Sequence, residues 1–537
     1  MTRRRLSWTL LAAVVVAALA LLVVWPLVEL VRVAAEHAAA GAGRQAGQAV
    51  INTVMVGGST SVVTVGLGTG AAFLTERTAV AGRRWLRLGF LLPILIPPFV
   101  SALSWARAYG PGGLVDDVAG VSLPGLYGPV GIVAVISVNT MPLAYVLTAA
   151  ALSSRLDQSF ELAGRVSGAG PATVARTVTI PLLTPSLVGA GALAFVVGIN
   201  AFGVPAFLGT PVGFDTVTTR IYQDLARSAR PESFSRAVLL ATGLVAMALV
   251  FVVIADAVLA GVGEGRRTAG PAGPAERIRA PHPSLTALAW TTIAVVTVIP
   301  LVALVLVALT RGVGVDPVPS NWTFAHFADA LEPRLIGALG RSLALAVLAA
   351  TLGVALGAAV AAFRRGRFGR VAGLAVLLGF AVPGSTLAVA MLLGYGRLLR
   401  DTLALILIAY LAKLWAVAHR SIAGSVANLA PDLTLAARAS GASPATAVRT
   451  VVAPLMRPAL AGAWVLVFLI GFHELTMSSL LYGPGTETLA VAVLNLQQLG
   501  DVPVSSALAV VLTLPPLLAA VPLLLLGRLP RRTLGTG

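Results

Sequence analysis

Apolar residues fill the chain in runs of about 20, separated by short segments rich in Arg, Gly and Pro. A helical run of that length crosses a hydrocarbon core of about 30 Å. The pattern predicts twelve spans, over residues 8–32, 50–74, 88–107, 128–152, 187–208, 236–260, 286–310, 339–363, 371–395, 402–424, 459–482 and 503–527. No segment alternates apolar and polar residues as a membrane strand does. Because lipid cannot satisfy open backbone groups, we predict an all-α integral membrane protein.

Composition supports this class. Hydrophobic residues make up 57% of the chain and charged residues 11%, which excludes an ordinary soluble domain. The apolar run near the N-terminus is longer than that of a signal peptide, so we expect the first span to be retained. The chain has no cysteine, which rules out disulfides and thiol chemistry.

The formal charge of +17 raises the question of where the basic residues lie. Most of them fall in the termini and in alternate loops, among them Arg3–Arg5, Arg83, Arg84, Arg266, Arg267, Arg364, Arg365, Arg531 and Arg532. This asymmetry is the positive-inside pattern, and it predicts a multi-pass protein of the cell (inner or plasma) membrane with both termini in the cytoplasm. The charge therefore orients the chain in the lipid bilayer, and we expect no nucleic-acid partner.

A repeat divides the chain into two halves. The stretch SGASPATAVRTVVAPLMRPAL from Ser440 is a near-copy of SGAGPATVARTVTIPLLTPSL from Ser167, and segments 161–187 and 434–460 share 16 of 27 positions. Each copy falls between the fourth and fifth predicted spans of its half, which indicates a parallel repeat about an axis along the membrane normal. We predict a first half over 1–262, a Gly/Pro/Arg-rich cytoplasmic linker over 263–284 and a second half over 285–537.

The repeated segments, called the cassettes below, are predicted to fold as helix, turn and helix. Gly168 and Gly441 would end the first helix of each copy. In the second copy Ser443 is a good N-cap for a helix starting at Pro444. Pro181 and Pro454 are expected to end these short helices. Two in-register copies favour a pair of docking sites over ordinary interfacial loops.

The cassettes resemble the EAA loop of permease subunits of binding-protein-dependent ABC importers. The matching positions are Glu161, Ala163, Gly168, Ile180, Pro181 and Leu182, then Ala436, Ala437, Gly441, Pro454 and Leu455. Thr434 stands where the second copy would carry the glutamate, so a role for that carboxylate is expected in the first half only. The resemblance implies two six-helix permease halves fused in one chain. It also implies one ATPase subunit docked on each cassette, hence two copies, and an extracytoplasmic solute-binding protein.

The chain itself lacks the residues for ATP hydrolysis. Its only lysine, Lys413, is followed by Leu414, so no Walker A loop is present. The five histidines are scattered, and no catalytic or metal-binding cluster is evident. We therefore expect a transport subunit that is not an enzyme and has no cofactor of its own, with ATP and Mg bound by the partner ATPase.

Polar residues at membrane depth are candidates for the transport pathway. Asn200 and His473 occupy equivalent repeat positions, Glu474 follows His473, and Lys413 lies in the tenth predicted span. Hydrogen bonding between helices is the alternative role for Asn200, His473 and Glu474. For Lys413 the alternative is a snorkelling or interhelical cation.

The fused architecture is similar to iron(III) permeases, with relatives for thiamine and aminoethylphosphonate. We predict an ATP-driven importer whose first candidate cargo is iron(III); the sequence leaves the cargo open. An ion-gradient-driven secondary transporter explains the two halves but gives no reason for the paired cassettes.

Overall fold

A computed structural model describes most of the chain as helices joined by loops, with one isolated β-bridge between Thr310 and Trp322. The described residues are 12–37, 43–154, 158–228, 230–263, 283–362, 373, 375, 376, 378, 379, 381–427 and 431–526. Most of the predicted linker lies outside them.

Among the described residues of the first half we number ten helices. They are α1 Ala12–His37, α2 Gly43–Glu76, α3 Arg83–Leu91, α4 Pro98–Tyr109, α5 Pro129–Ser154, α6 Gln158–Val166, α7 Ala172–Asn200, α8 Gly203–Leu208, α9 Val217–Ala226 and α10 Pro231–Gly263.

The second half repeats this order, and its described helices correspond to α1, α2 and α4–α10 of the first half. They are α11 Pro283–Leu309, α12 Pro333–Ala362, α13 Gly384–Leu399, α14 Leu403–Ala427, α15 Pro431–Ala439, α16 Val448–Phe472, α17 Thr476–Leu481, α18 Leu489–Leu499 and α19 Val502–Leu526.

Ten of the described helices are long and apolar enough to cross a membrane, and the segments on either side of residues 96–97 would make an eleventh if counted as one span. This confirms an all-α multi-pass protein. The third span is not the straight helix predicted over 88–107, because the chain bends by 106° between its two parts. Ile96 and Pro97 adopt extended backbone angles there. Two successive prolines remove two amide donors and disfavour helical geometry in the residue before each, so the helix breaks.

The ninth predicted span, 371–395, falls partly outside the described residues. Its described part breaks in the same way, since Pro383 is extended and α13 begins immediately after it at Gly384.

The fifth and eleventh spans are displaced from their predicted positions of 187–208 and 459–482. The observed helices α7 and α16 begin inside the cassettes and end at Asn200 and Phe472. The chain then restarts as the six-residue helices α8 and α17. The spans were misplaced because hydropathy alone does not distinguish a continuous helix from two pieces around a break.

Four prolines follow π-helical turns at repeat-equivalent places. The π turns are Ala20–Val24, Ala175–Thr179, Ala294–Val298 and Val448–Val452, and each is followed two residues later by a proline. Proline lacks an amide donor and clashes with the carbonyl one turn earlier, and the wider π turn accommodates both defects. The expectation that Pro181 and Pro454 end the cassette helices is therefore wrong. The helices continue through these residues into the spans.

The two halves interlock through their first spans. Helix α1 packs on α13 of the second half, and α11 packs on α4 of the first half. The Tyr395 hydroxyl donates to the Leu21 carbonyl at 2.6 Å, and the Tyr109 hydroxyl donates to the Val295 carbonyl at 2.5 Å. Both acceptors lie in π turns. The same contact thus occurs twice with the halves exchanged, as a repeat about one axis requires.

Candidate coupling loops and translocation pathway

Both cassettes turn at a glycine in the left-handed region. Gly168 has a φ of 86° and Gly441 a φ of 84°. In each copy the glycine amide donates to the carbonyl three residues earlier, and the next amide donates to the carbonyl five residues earlier, all at 3.0–3.1 Å. These are the two bonds of a Schellman motif, in which glycine is favoured because it has no Cβ. The predicted helix ends at Gly168 and Gly441 are confirmed.

The second helix of each cassette begins after the turn, and its first turn is capped differently in the two copies. In the second copy the Thr446 amide donates to Ser443 Oγ at 3.1 Å, which confirms Ser443 as the N-cap. In the first copy, where Gly170 replaces the serine, the Val174 amide donates to the Gly170 carbonyl at 3.0 Å.

Large apolar side chains of α6 and α15 remain exposed. Phe160 and Leu162 are 57% and 43% exposed, and their repeat equivalents Leu433 and Leu435 are 46% and 57% exposed. Ala163 is exposed as well, whereas Ala437 is partly covered. Matching exposed apolar residues on two short helices form surfaces suited to protein contact.

Glu161 lies inside the first cassette. Its carboxylate accepts a hydrogen bond from Thr179 Oγ1 at 3.0 Å and lies 3.5 Å from an Arg77 guanidinium nitrogen. Its side chain is only 14% exposed. Glu161 therefore joins α6 to the π turn of α7 and to the end of α2, so it positions the cassette and presents little surface of its own.

The first of the four predicted pathway residues, Asn200, ends α7. Its Oδ1 is buried and has no hydrogen-bond partner. Its equivalent His473 directly follows α16, and its Nε2 lies 3.2 Å from the Leu512 carbonyl of α19. The two residues thus share a position at the break of equivalent spans but differ in environment.

Lys413 binds the backbone at the break of the ninth span. Its ammonium donates to the carbonyl of Val382, the residue before Pro383. In the first half, Asn139 Nδ2 lies 3.3 Å from the carbonyl of Ile96, which likewise precedes a proline. The two donors occupy equivalent positions on α14 and α5. Sequence inspection missed Asn139, although aligning the halves places it opposite Lys413.

Glu474 belongs to the same buried polar network. Its carboxylate accepts from the amides of Met477 and Ser478 at 2.9–3.0 Å and so caps α17. Ser478 Oγ in turn lies 2.7 Å from the Tyr410 hydroxyl. Lys413 therefore joins α14 to the broken span, and Glu474 caps α17, whose Ser478 contacts Tyr410 of α14.

Removing the ammonium should destabilise the break of the ninth span. Lys413→Met leaves the Val382 carbonyl without this donor, and an unsatisfied buried polar group costs about 1–3 kcal/mol. Thermal unfolding of the purified protein should show a clear fall in midpoint, with a smaller fall for Lys413→Gln, which keeps a neutral donor as Asn139 does. An unchanged midpoint for Lys413→Met would contradict this role.

The loops that follow α8 and α17 are equivalent in the two halves and make corresponding hydrogen bonds. The Asp215 carboxylate accepts from the Gln223 amide at 2.8 Å, and the Glu487 carboxylate accepts from the Asn495 amide at 2.7 Å. The backbone carbonyls of these two acids accept from side chains of α2 and α12 at 2.8 and 2.7 Å. Among the described residues, no three His, Asp or Glu side chains are grouped to hold a metal ion.

Comparison with known proteins identifies this architecture. Residues 63–268 and 353–533 each match the family described as binding-protein-dependent transport system inner membrane component. The chain belongs to this family. It carries the family's unit twice, so it is a fused permease, and the family consists of membrane subunits that are not enzymes and have no cofactor of their own.

Relatives extend over most of the chain. It is 26% identical over 480 residues to a probable ABC transporter permease protein of Sinorhizobium fredii, covering 84% of this chain and 82% of the relative. It is 26% identical over 459 residues to an Fe(3+)-transport system permease protein of Haemophilus influenzae, covering 82% of each. A molybdenum transport system permease protein of Mycobacterium tuberculosis is 31% identical over 221 residues, which are 40% of this chain and 78% of the relative. The ABC importer class is confirmed, and the relatives differ in cargo.

Proposed function

We propose that this chain forms the whole transmembrane pathway of an ATP-driven importer and that its first candidate cargo is iron(III). The observation that carries the proposal is the pair of cassettes, each turned by a left-handed glycine and each exposing large apolar side chains. Iron(III) is favoured because the Haemophilus relative matches over 82% of both chains. The two halves would comprise residues 1–262 and 285–537.

The partners follow from the same feature. Each cassette would dock one ATPase subunit, giving two copies that bind ATP and Mg, and a solute-binding protein would deliver cargo at the opposite face. The cassette helices continue into α7 and α16. Movement of a docked ATPase would therefore be transmitted along a continuous helix to the breaks at Asn200 and His473.

ATP dependence tests the proposal. Proteoliposomes containing this chain and its ATPase should take up radiolabelled iron(III) from the binding protein only when ATP is supplied on the cassette side. Uptake that needs no ATPase and follows a proton or sodium gradient would overturn the proposal in favour of a secondary transporter.

Orientation can be tested separately. From the positive-inside pattern we expect both termini and the 263–284 linker in the cytoplasm. Because the chain has no cysteine, Asp116→Cys and Ala272→Cys each introduce a single label site. A membrane-impermeant thiol reagent added to whole cells should label Asp116→Cys and leave Ala272→Cys unlabelled until the membrane is opened. Labelling of both from outside would contradict the orientation.

A further inference from the structure

A cavity of about 400 Å³ lies where the two halves meet, at the far end of the bundle from the cassettes. Its walls are formed by Leu103, Ala106, Tyr127, Phe207 and Pro211 of the first half and Gln497 of the second. This volume is within the range of small-molecule sites, about 300–1,000 Å³. The cavity requires both halves, because Gln497 comes from α18.

A partly buried arginine, Arg107, lies behind this wall. Arg107 Nη2 donates to Gln497 Oε1 at 2.9 Å, and Arg107 Nε is buried without a hydrogen-bond partner. Among the residues that the structure describes, no carboxylate is paired with this guanidinium. A guanidinium is always charged, and a charge withdrawn from water is costly unless it is paired. The site therefore holds positive charge that its own protein neighbours do not neutralise.

The polar groups on the cavity wall are hydrogen-bond donors and are therefore also suited to an anion. Since the oxygen of Gln497 accepts from Arg107, the amide N–H groups are what Gln497 has left to offer, and Tyr127 adds a hydroxyl. A bare iron(III) ion would need carboxylate, imidazole or other donor ligands here. No described carboxylate or histidine lines the cavity.

We propose that this cavity is a recognition site for an anionic cargo, meaning a small oxyanion, a phosphonate or an anionic chelate of iron(III), held by Arg107 and Gln497. The inference rests on the proposed importer function and on the orientation that places this end outside the cell. It narrows the cargo class: iron(III) would pass this point as an anionic complex and not as the bare cation.

The chain offers a matched control one residue away. Arg227 donates to Gln498 Oε1 in the same type of bond between the halves. Arg227 is exposed, however, and stacks on the Tyr222 ring at 5.8 Å. Water neutralises its charge without a ligand. A change at Gln498 therefore repeats the chemistry of a change at Gln497 away from the cavity.

The experiment measures binding and uptake separately on the permease–ATPase complex in nanodiscs. Inorganic phosphate, 2-aminoethylphosphonate, molybdate and iron(III) citrate at millimolar concentration are the anionic probes, and thiamine is the cationic probe. We expect at least one anion, and not thiamine, to raise the thermal unfolding midpoint. Gln497→Glu places a carboxylate of the same size beside Arg107 and should abolish this shift. It should also lower uptake at least ten-fold, whereas Gln498→Glu leaves both unchanged.

The ATPase readout separates this site from the importer function. Gln497→Glu should retain copurification of the ATPase and its ATP hydrolysis. Arg107→Gln is a second variant for the case in which Gln497→Glu folds poorly, and it should also lose the anion shift. A shift with thiamine alone, no shift with any anion, or an anion shift that survives Gln497→Glu would overturn the site. Uptake without ATP would overturn the importer function while the anion shift could still be scored.

Discussion

Replacing Gly68 or Gly357 by alanine is expected to prevent the half that carries it from packing. A Cβ on Gly68 would lie 2.5 Å from Ala144 Cβ and 2.7 Å from the Tyr145 backbone nitrogen, and a Cβ on Gly357 would lie 2.7 Å from the His419 backbone nitrogen. These are the crossings of α2 with α5 and of α12 with α14. Backbone atoms cannot rotate away as a side chain can, so the helices would have to separate. Overpacking a core costs about 1–3 kcal/mol, and a clash with backbone should lie at the upper end.

Close helix approach is the reason for glycine at both positions, since membrane helices associate through packing of small residues. Gly66→Ala and Gly70→Ala are matched controls in the same helix, because nothing lies within 4 Å of a Cβ at either place. The fraction of protein eluting as a single species in size-exclusion chromatography should fall sharply for Gly68→Ala and stay near wild type for the controls. Equal recovery of Gly68→Ala and Gly66→Ala would contradict this crossing.

The sequence could not single out Gly68. The chain has 55 glycines, and Gly66, Gly68 and Gly70 stand in the same apolar segment with the same spacing. Which one meets the neighbouring helix depends on the rotation of α2 about its axis. The hydropathy pattern determines that rotation poorly, because lipid and protein are both apolar surroundings.

The cassettes, by contrast, were largely predictable. Left-handed glycines, an N-cap serine and a proline at the first helical position are local effects that depend on a few neighbouring residues. The predicted helix ends were wrong at prolines that a helix can accommodate. At Pro181 and Pro454 a π turn keeps the helix continuous, and no residue pattern distinguished that outcome from a helix end.

At membrane depth, charge alone identified only some of the polar residues that make contacts between helices. Lys413 stood out because it is the only lysine, whereas the equivalent Asn139 makes a corresponding contact and is uncharged. Arg107 lies at the very edge of a predicted span and could pass for an interfacial residue. Its partner Gln497 is 390 residues away in sequence, so their contact across the halves emerges only from the folded chain.

Replacing Gly441 by valine should uncouple the second half from its ATPase. A residue other than glycine at a φ of 84° pays about 1–2 kcal/mol in backbone strain, and a β-branched residue is the least tolerated. Relief of that strain would rotate α15 away from the helix that follows the turn, and the exposed Leu433 and Leu435 would move with it. The fold should survive, because nothing lies within 4 Å of a Cβ at this exposed turn.

The measurements are ATPase copurification and ATP-driven uptake. Gly441→Val should lower both several-fold, and Gly168→Val should do the same in the first half. Uptake should be lost in the double variant, because the proposed importer drives both cassettes. Gly441→Asn is the conservative variant, since asparagine tolerates the left-handed region, and it should keep most of the activity. Gly462→Ala is a control on α16, exposed and without neighbours within 4 Å. If Gly441→Val retained full coupling while Gly441→Asn lost it, the left-handed turn would not be what aligns the cassette with its partner.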